Sequence, residues 1–302
     1  MTIKTVISLA LSALCFLSCD KQGAEKTTGS GELVIHEDKK AKMTSNAFKL
    51  MSFNVRYQNN DDNVAGNGWS KRCKGVYEMI RVQQPLVMGT QEMLISQRHD
   101  ILTNVTGYKA IGVGRDDGAE KGESMSIFYQ ADSVDVVKWG TFWLSPSPDV
   151  PGVKGWDAAC VRTCTWARLK HKRLGKEFFY FNTHLDHKGK VARTEEMKLI
   201  EKKMAELNPD GLPCAFSADF NTDENDAIFD SIKKTMLNAR NAADVSDSHG
   251  TYNGFGNSSG KKIDHIWYNG LGVLEYKTVT GGFAGVTYIS DHCPIYAVFT
   301  FN

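Results

Sequence analysis

The sequence predicts an α+β sandwich: two β-sheets packed face to face with helices on the outside. Three observations lead there. Short apolar or alternating runs recur about a dozen times, whereas helical spacing is confined to a few segments. No break in composition falls after about Phe48, so one domain accounts for the rest of the chain. Several runs stop abruptly on a carboxylate, amide or imidazole, as strands do when they deliver side chains to a site at a sheet end. Hydrophobic content of 41% and charged content of 24% are ordinary for a globular protein. A net charge of +1 leaves no whole-chain electrostatic case for a nucleic-acid binder.

The first residues stand apart from this domain. Thr5 to Leu17 is apolar but short for a membrane-spanning helix, and it follows a single lysine, Lys4. It stops at Ser18-Cys19, and a Gly/Ser/Thr/Lys tract runs on to about Ser30. This order is similar to a bacterial lipoprotein signal with Cys19 as the lipidated residue; an ordinary secretory signal is the alternative. The expected division is a leader over 1–18, a tether over 19–47 and a catalytic domain over 48–302. The protein is then exported and lipid-anchored at the cell envelope, or else secreted. Cys73, Cys160, Cys164, Cys214 and Cys293 remain, an odd number. Export permits disulfides, so Cys160 and Cys164 could pair locally, and no second pair suggests structural zinc.

Along the domain, Phe48 to Phe53 alternates as a strand and ends in Asn54-Val55-Arg56. Asn59 to Gly68 reads as loop, and Ser70 to about Val82 as a helix stopped by Gln83-Gln84-Pro85. Leu86 to Thr90 is a strand that turns polar at Gln91-Glu92, and a helix follows over about Ser96 to Thr103. Tyr108–Val113 and Ser124–Tyr129 form a strand pair around Arg115-Asp116-Asp117, which shape a pocket or simply a turn. Val134–Trp139 is a strand, and Thr141–Ala159 a long Pro/Gly/Trp loop expected to face substrate, with Trp143 and Trp156 available for stacking. Strands follow over Thr163–Leu169 and Phe178–Thr183, the second running into His184-Leu185-Asp186-His187. Met197, Ile200, Met204 and Leu207 mark a helix over about Ala192–Leu207. Cys214 to Ala218 is an uncharged run ending at Asp219-Phe220-Asn221, where a pleated strand sends Asp219 and Asn221 to one side. Ile228–Met236 is expected to be helical, Ile263–Tyr268 a strand, and Ile295–Phe301 the last strand, entered through Ser290-Asp291-His292.

Five strands therefore end or begin on Asn54, Glu92, His184, Asp219 with Asn221, and Asp291 with His292. Singly, each fits a cap or a turn. Together they call for a common partner, because a buried carboxylate or imidazole costs several kcal/mol unless paired or bound to a cation. Oxygen donors with few histidines favour Mg2+, with Mn2+ as substitute, over zinc.

In order along the chain stand Asn54 after Met51-Ser52-Phe53, Gln91-Glu92, Gly122-Glu123-Ser124, Asn182-Thr183-His184-Leu185, Ser217-Ala218-Asp219-Phe220-Asn221, Ile263-Asp264-His265 and Ser290-Asp291-His292. This series resembles the ordered motifs of the endonuclease/exonuclease/phosphatase superfamily, from about residue 48 to 302. Its members include pancreatic-type deoxyribonucleases, abasic-site endonucleases, neutral sphingomyelinases and inositol-polyphosphate 5-phosphatases. One departure is Ala218, where the motif usually carries glycine; it is expected to be tolerated. The resemblance implies a four-layered fold with mostly antiparallel sheets, and hydrolysis of a phosphoester by water with one essential magnesium. It implies Glu92 as principal metal ligand with Asn54 and Asp291 beside it, and Asp219 and Asn221 orienting water and a phosphoryl oxygen. His292 would be held by Asp264, and His184, partnered by Glu123, would donate to a phosphate oxygen or the leaving group. Asp219 and His292 both fit the general base, with His292–Asp264 preferred.

Arg162 is a candidate phosphate clamp or a structural ion pair, and Asp186 and His187 could tune the substrate. The leading reading is a monomeric phosphodiesterase or phosphatase acting on a small or lipid-linked phosphoester. The alternatives are a secreted deoxyribonuclease or ribonuclease and, less readily, a binding lipoprotein without chemistry.

Overall fold

The computed structural model describes residues 45–258 and 260–302. The leader, Cys19 and most of the tether lie outside them. All described residues belong to one compact unit. In chain order the strands are β1 (Phe48–Asn54), β2 (Val87–Gln91), β3 (Met93–Leu94), β4 (Tyr108–Ile111), β5 (Glu123–Ser124), β6 (Ile127–Gln130) and β7 (Val134–Trp143). Then come β8 (Thr163–His171), β9 (Lys176–His184), β10 (Cys214–Asp219), β11 (Leu237–Asn238), β12 (Val245–Ser246), β13 (Asp264–Asn269), β14 (Leu271–Thr278) and β15 (Ile295–Phe301). The helices are α1 (Asn60–Val64), α2 (Trp69–Gln83), α3 (Ile95–Asn104), α4 (Lys190–Leu207) and α5 (Ala239–Ala242).

A seven-stranded sheet runs β12-β14-β15-β1-β2-β6-β4 and a six-stranded sheet β11-β13-β10-β9-β8-β7, with β3 and β5 as a separate pair. Pairing is antiparallel except for β1 with β2, β9 with β10 and β12 with β14. Strand alternation divides the apolar residues into three clusters. Leu50, Val87, Phe178, Tyr180, Ala215 and Ile266 are among those that fill the space between the sheets. Met51 and Phe53 face the other way, onto Val76, Met79 and Ile80 of α2 and Ile101 of α3. Phe179, Phe181 and Phe216 turn outward beneath Met197 and Ile200 of α4. Helices, sheet, sheet and helix thus make four layers, as the resemblance implies. Each such fully buried side chain contributes about 1.5–3 kcal/mol through removal from water.

The inner faces change character along the strands. On β1 the inward series is Leu50, Ser52, Asn54; on β9, Tyr180, Asn182, His184; on β10, Ala215, Ser217, Asp219. The middle members form a hydrogen-bonded layer. Tyr180 Oη donates to Met51 O at 2.6 Å and lies 2.7 Å from Ser217 Oγ. Asn182 Nδ2 donates to Thr90 O at 2.9 Å, and its Oδ1 accepts from Gln91 Nε2 at 2.7 Å. A Cβ on Gly89 would lie 2.6 Å from Asn182 Oδ1 and 2.7 Å from Ser217 Oγ. Only glycine lets the two sheets close here.

Several boundaries differ from the sequence reading. Residues 60–64, expected as loop, form α1 because Asn59 Oδ1 accepts from Asp62 N at 2.8 Å. The Ile228–Met236 helix is two short 3₁₀ turns, Ala227–Phe229 and Ile232–Lys234. Strand β7 continues to Trp143, so the long loop starts later. Strand β14 escapes the alternation pattern because a bulge between Val273 and Glu275 shifts its register. Cys160 and Cys164 are unpaired: Cys164 packs into the α4-side cluster, while Cys160 lies in a loop. Ala218 keeps strand geometry, and its methyl joins the same apolar cluster.

Candidate active site

Strand register assembles the centre. Asp219 at the end of β10 stands beside His184 of parallel β9 and opposite Asp264 of antiparallel β13. One row across three strands therefore reads His184, Asp219, Asp264. On the facing sheet, Asn54 ends β1 beside Gln91 of β2. The sheets meet through Asn54 Nδ2, which donates to Glu92 Oε1 and to Asp219 Oδ2, each at 3.0 Å.

Asp219 Oδ2 is the point of convergence. Besides Asn54, His184 Nε2 lies 3.3 Å and His292 Nε2 3.6 Å from it, and Asp219 Oδ1 accepts from Asn221 N at 2.9 Å. His292 Nδ1 is 2.9 Å from Asp264 Oδ2. Thr251 Oγ1 fixes the Asp264 backbone by accepting its N–H at 3.1 Å. The Tyr252 ring meets the His292 imidazole edge-on at 5.1 Å. Burial alone would lower the basicity of His292, but the Asp264 and Asp219 carboxylates outweigh it and hold the imidazole well above its ordinary value. Burial and the Arg162, His292 and Arg115 cations push His184 well below it, so His184 is neutral at pH 7. Burial also pushes the Asp219 carboxyl up.

Asn221 reaches the site by a different route from the one expected. Strand β10 stops at Asp219, and Asn221 takes a left-handed conformation, φ +54°. That turn brings its Nδ2 to 2.9 Å from both His184 Nε2 and Leu185 O. Glu92, one residue beyond β2, is left-handed as well, φ +57°.

The contacts of Asn54, Glu123 and Trp143 differ from those expected, and Arg162 takes the ion-pair alternative. Asn54 turns its amide nitrogen toward the carboxylates, bridging Glu92 and Asp219, while its Oδ1 accepts Arg56 N at 3.0 Å. Glu123 does not partner His184. Its Oε2 takes Arg115 Nη1 at 2.7 Å, the nearer and permanently charged donor, and His184 Nδ1 has no partner among the described residues. Arg162 is a buried ion pair, its Nε 3.3 Å from Asp186 Oδ2 and its Nη2 3.1 Å from His187 Nδ1. Trp143 is not free to stack on a substrate, since it is buried and its Nε1 donates to Arg115 O at 2.6 Å.

The remaining carboxylates suit a hard divalent cation. Glu92 Oε2 and Asp291 Oδ2 lie 3.9 and 3.8 Å from one positively charged atom, Arg56 Nη1. Two carboxylates aimed at a common cation are the donors a divalent metal ion takes. Two closer triads also have ligand-like spacing. In Asp219–Asp264–His292 the imidazole already serves as the cation. In Cys160–Asp186–His187 the Arg162 guanidinium does so.

Behind His184, Asp186 ties two loops together. Burial opposes its ionisation, but the backbone N–H groups of Gly189, Lys188, Ala159 and Cys160 outweigh that and hold it well below the carboxylate range. Its own N–H donates to Glu196 Oε2 at 3.0 Å. Glu196 is fully buried, its Oε1 has no partner among the described residues, and burial pushes its carboxyl up to about 7. A folded pKa above the unfolded value of about 4.3 means stability that is complete in acid and lost as pH rises through about 7. Glu196→Gln removes that loss. Urea unfolding should show the variant gaining on the wild type by on the order of 2 kcal/mol between pH 5 and pH 8; parallel stability curves would contradict it.

A cavity of about 400 Å³, of small-ligand size, opens beside His292 between the loops carrying Tyr252, Asn253, Thr287 and Tyr288.

Residues 51–292 match the Endonuclease/Exonuclease/phosphatase family. No curated protein matches the chain. Among solved structures, a mannosyl-6-phosphatase from Bacteroides thetaiotaomicron is 37% identical with a TM-score of 0.81, over 84% of this chain and 100% of that one. An endonuclease/exonuclease/phosphatase from Bacteroides vulgatus is 32% identical with a TM-score of 0.80, over 85% and 99%. The human nocturnin catalytic domain, at 15% identity and a TM-score of 0.67 over 85% and 94%, shares the fold.

Proposed function

Since the chain belongs to the endonuclease/exonuclease/phosphatase family and is a metal-dependent phosphoric ester hydrolase, we propose that it hydrolyses a phosphomonoester of a small polar molecule, a hexose 6-phosphate in class, with Mg2+ as the metal. The observation that carries the chemistry is the convergence of Asn54, His184 and His292 on Asp219 Oδ2. The substrate class is supported by the 37% identity to a mannosyl-6-phosphatase along its full length. The near-zero net charge agrees with it.

Glu92 and Asp291 would hold the cation, which supplies Lewis-acid polarisation of a phosphoryl oxygen when bound. Asp219 orients the attacking water and takes its proton as the new O–P bond forms in line with the breaking ester bond, and the sugar oxygen leaving on the opposite face takes a proton from solvent to depart as the alcohol. The elevated pKa of Asp219 makes it a stronger base than an exposed carboxylate. His292, with Nδ1 bound to Asp264, presents Nε2 to the phosphoryl group from the same side as Asp219. This assignment replaces the preference for His292 as base with Asp219. Asn221 and His184 contribute fixed polar groups where charge develops.

A hydrolysis panel tests the substrate reading. Mannose 6-phosphate and a chromogenic monoester should release phosphate with Mg2+ and not in EDTA, while a phosphodiester chromogen and DNA should be poor substrates. Preference for the diester or for DNA would overturn it. The proposed setting is the cell envelope, with the domain anchored through Cys19. Cys19→Ala should move the protein from the membrane to the soluble fraction of cells, and unchanged partitioning would exclude the anchor.

A further inference from the structure

Arg56 is fixed more thoroughly than a surface arginine. Its backbone is left-handed, φ +56°, a strained conformation for a non-glycine residue. Three contacts hold it there: Asn54 Oδ1 accepts its N–H at 3.0 Å, and its carbonyl accepts from Arg72 Nη2 at 3.0 Å and Gln97 Nε2 at 3.1 Å. Arg72 and Gln97 are themselves buried. The side chain is held as firmly. Asp62 takes Nε at 2.8 Å and Nη2 at 3.1 Å in a bidentate pair. Asn59 then locks Asp62, donating to its Oδ2 at 2.8 Å and capping α1 at its N–H. Every contact directs one atom, Nη1, between Glu92 Oε2 and Asp291 Oδ2.

We propose that Arg56 is a resident cation of the metal centre that sets its affinity. At 3.9 and 3.8 Å its charge reaches both carboxylates without closing a tight hydrogen bond to either. In the metal-free protein it offsets the repulsion between Glu92 and Asp291, so the site stays formed. Toward an incoming divalent cation it is a like charge at short range, and it weakens binding. Arg56 is thus a positioning residue acting through the two carboxylates. Its anchor on Asp62 keeps it from being displaced or from collapsing onto them.

The inference rests on reading Glu92 and Asp291 as metal ligands, so the test separates the two. The EDTA-stripped full chain is titrated calorimetrically with Mn2+ or Mg2+ alone, and its melting is followed with and without metal. Arg56→Met should melt several degrees lower without metal and bind metal on the order of tenfold tighter. Arg56→Lys, which keeps the charge, should stay within about twofold of the wild-type affinity. If Arg56→Met folds poorly, Arg56→Gln, with a polar head for Asp62, takes its place with the same expected direction. Equal or weaker metal binding in the neutral variant would overturn the role of Arg56. Undiminished binding in Glu92→Gln would instead overturn the metal site itself.

Discussion

Asp219→Asn should lower kcat by on the order of 10³–10⁴-fold while the folded structure persists. Asparagine matches the shape of aspartate and can still accept Asn221 N, so the backbone turn that places Asn221 survives. What it removes is the proton acceptor at the one oxygen on which Asn54, His184 and His292 converge. It also removes one of the two carboxylates that keep His292 charged, so the effect includes a weakened imidazolium. In the wild type, activity should rise with pH along a limb lying above the ordinary carboxylate pKa, because burial raises the Asp219 value and only the ionised form is a base. Stopped or steady-state kinetics with any accepted monoester checks both statements. Near-wild-type turnover in Asp219→Asn would remove Asp219 from the chemistry.

Glu92→Gln should weaken Mg2+ binding by about 100-fold or more, since magnesium sites rest on one or two carboxylates and this change neutralises one of them. Activity should fall in step at low metal concentration and recover in part when Mg2+ or Mn2+ is raised. That recovery distinguishes a lost ligand from a lost base, because excess metal does nothing for Asp219→Asn. The variant retains an acceptor for Asn54 Nδ2, so the bridge between the sheets is kept. Calorimetric titration with metal alone gives the affinity directly, and an unchanged dissociation constant would show that the cation is held elsewhere.

The parts of this centre set by strand register could be read from the chain. Asp219, His184 and Asp264 end or begin apolar runs, and pairing those runs in their natural register lays the three side chains in one row. What stayed hidden depended on left-handed turns and on long-range charge pairing. Glu92 and Asn221 could be named from the chain, but the turns that aim them could not: Arg56, Glu92 and Asn221 all have positive φ without being glycine, so no residue type announced the turn. Arg56 in particular follows Asn54-Val55 as a lone charge; Glu92 and Asp291 are distant in sequence, and Asp62, six residues on, falls in a stretch that reads as loop. Glu123 shows the same difficulty from the other side: its nearest cation, Arg115, comes from the loop opposite, and sequence order offers no way to rank it above His184. The amide direction of Asn54 follows from the two carboxylates around it, and those meet only once the sheets have closed.

The most direct test of the whole arrangement is the release of inorganic phosphate from mannose 6-phosphate by the purified domain, measured with Mg2+, with EDTA, and with Asp219→Asn in Mg2+. The account predicts phosphate release in the first condition alone. Equal release in EDTA, or an active Asp219→Asn enzyme, would contradict a metal-dependent centre built on Asp219.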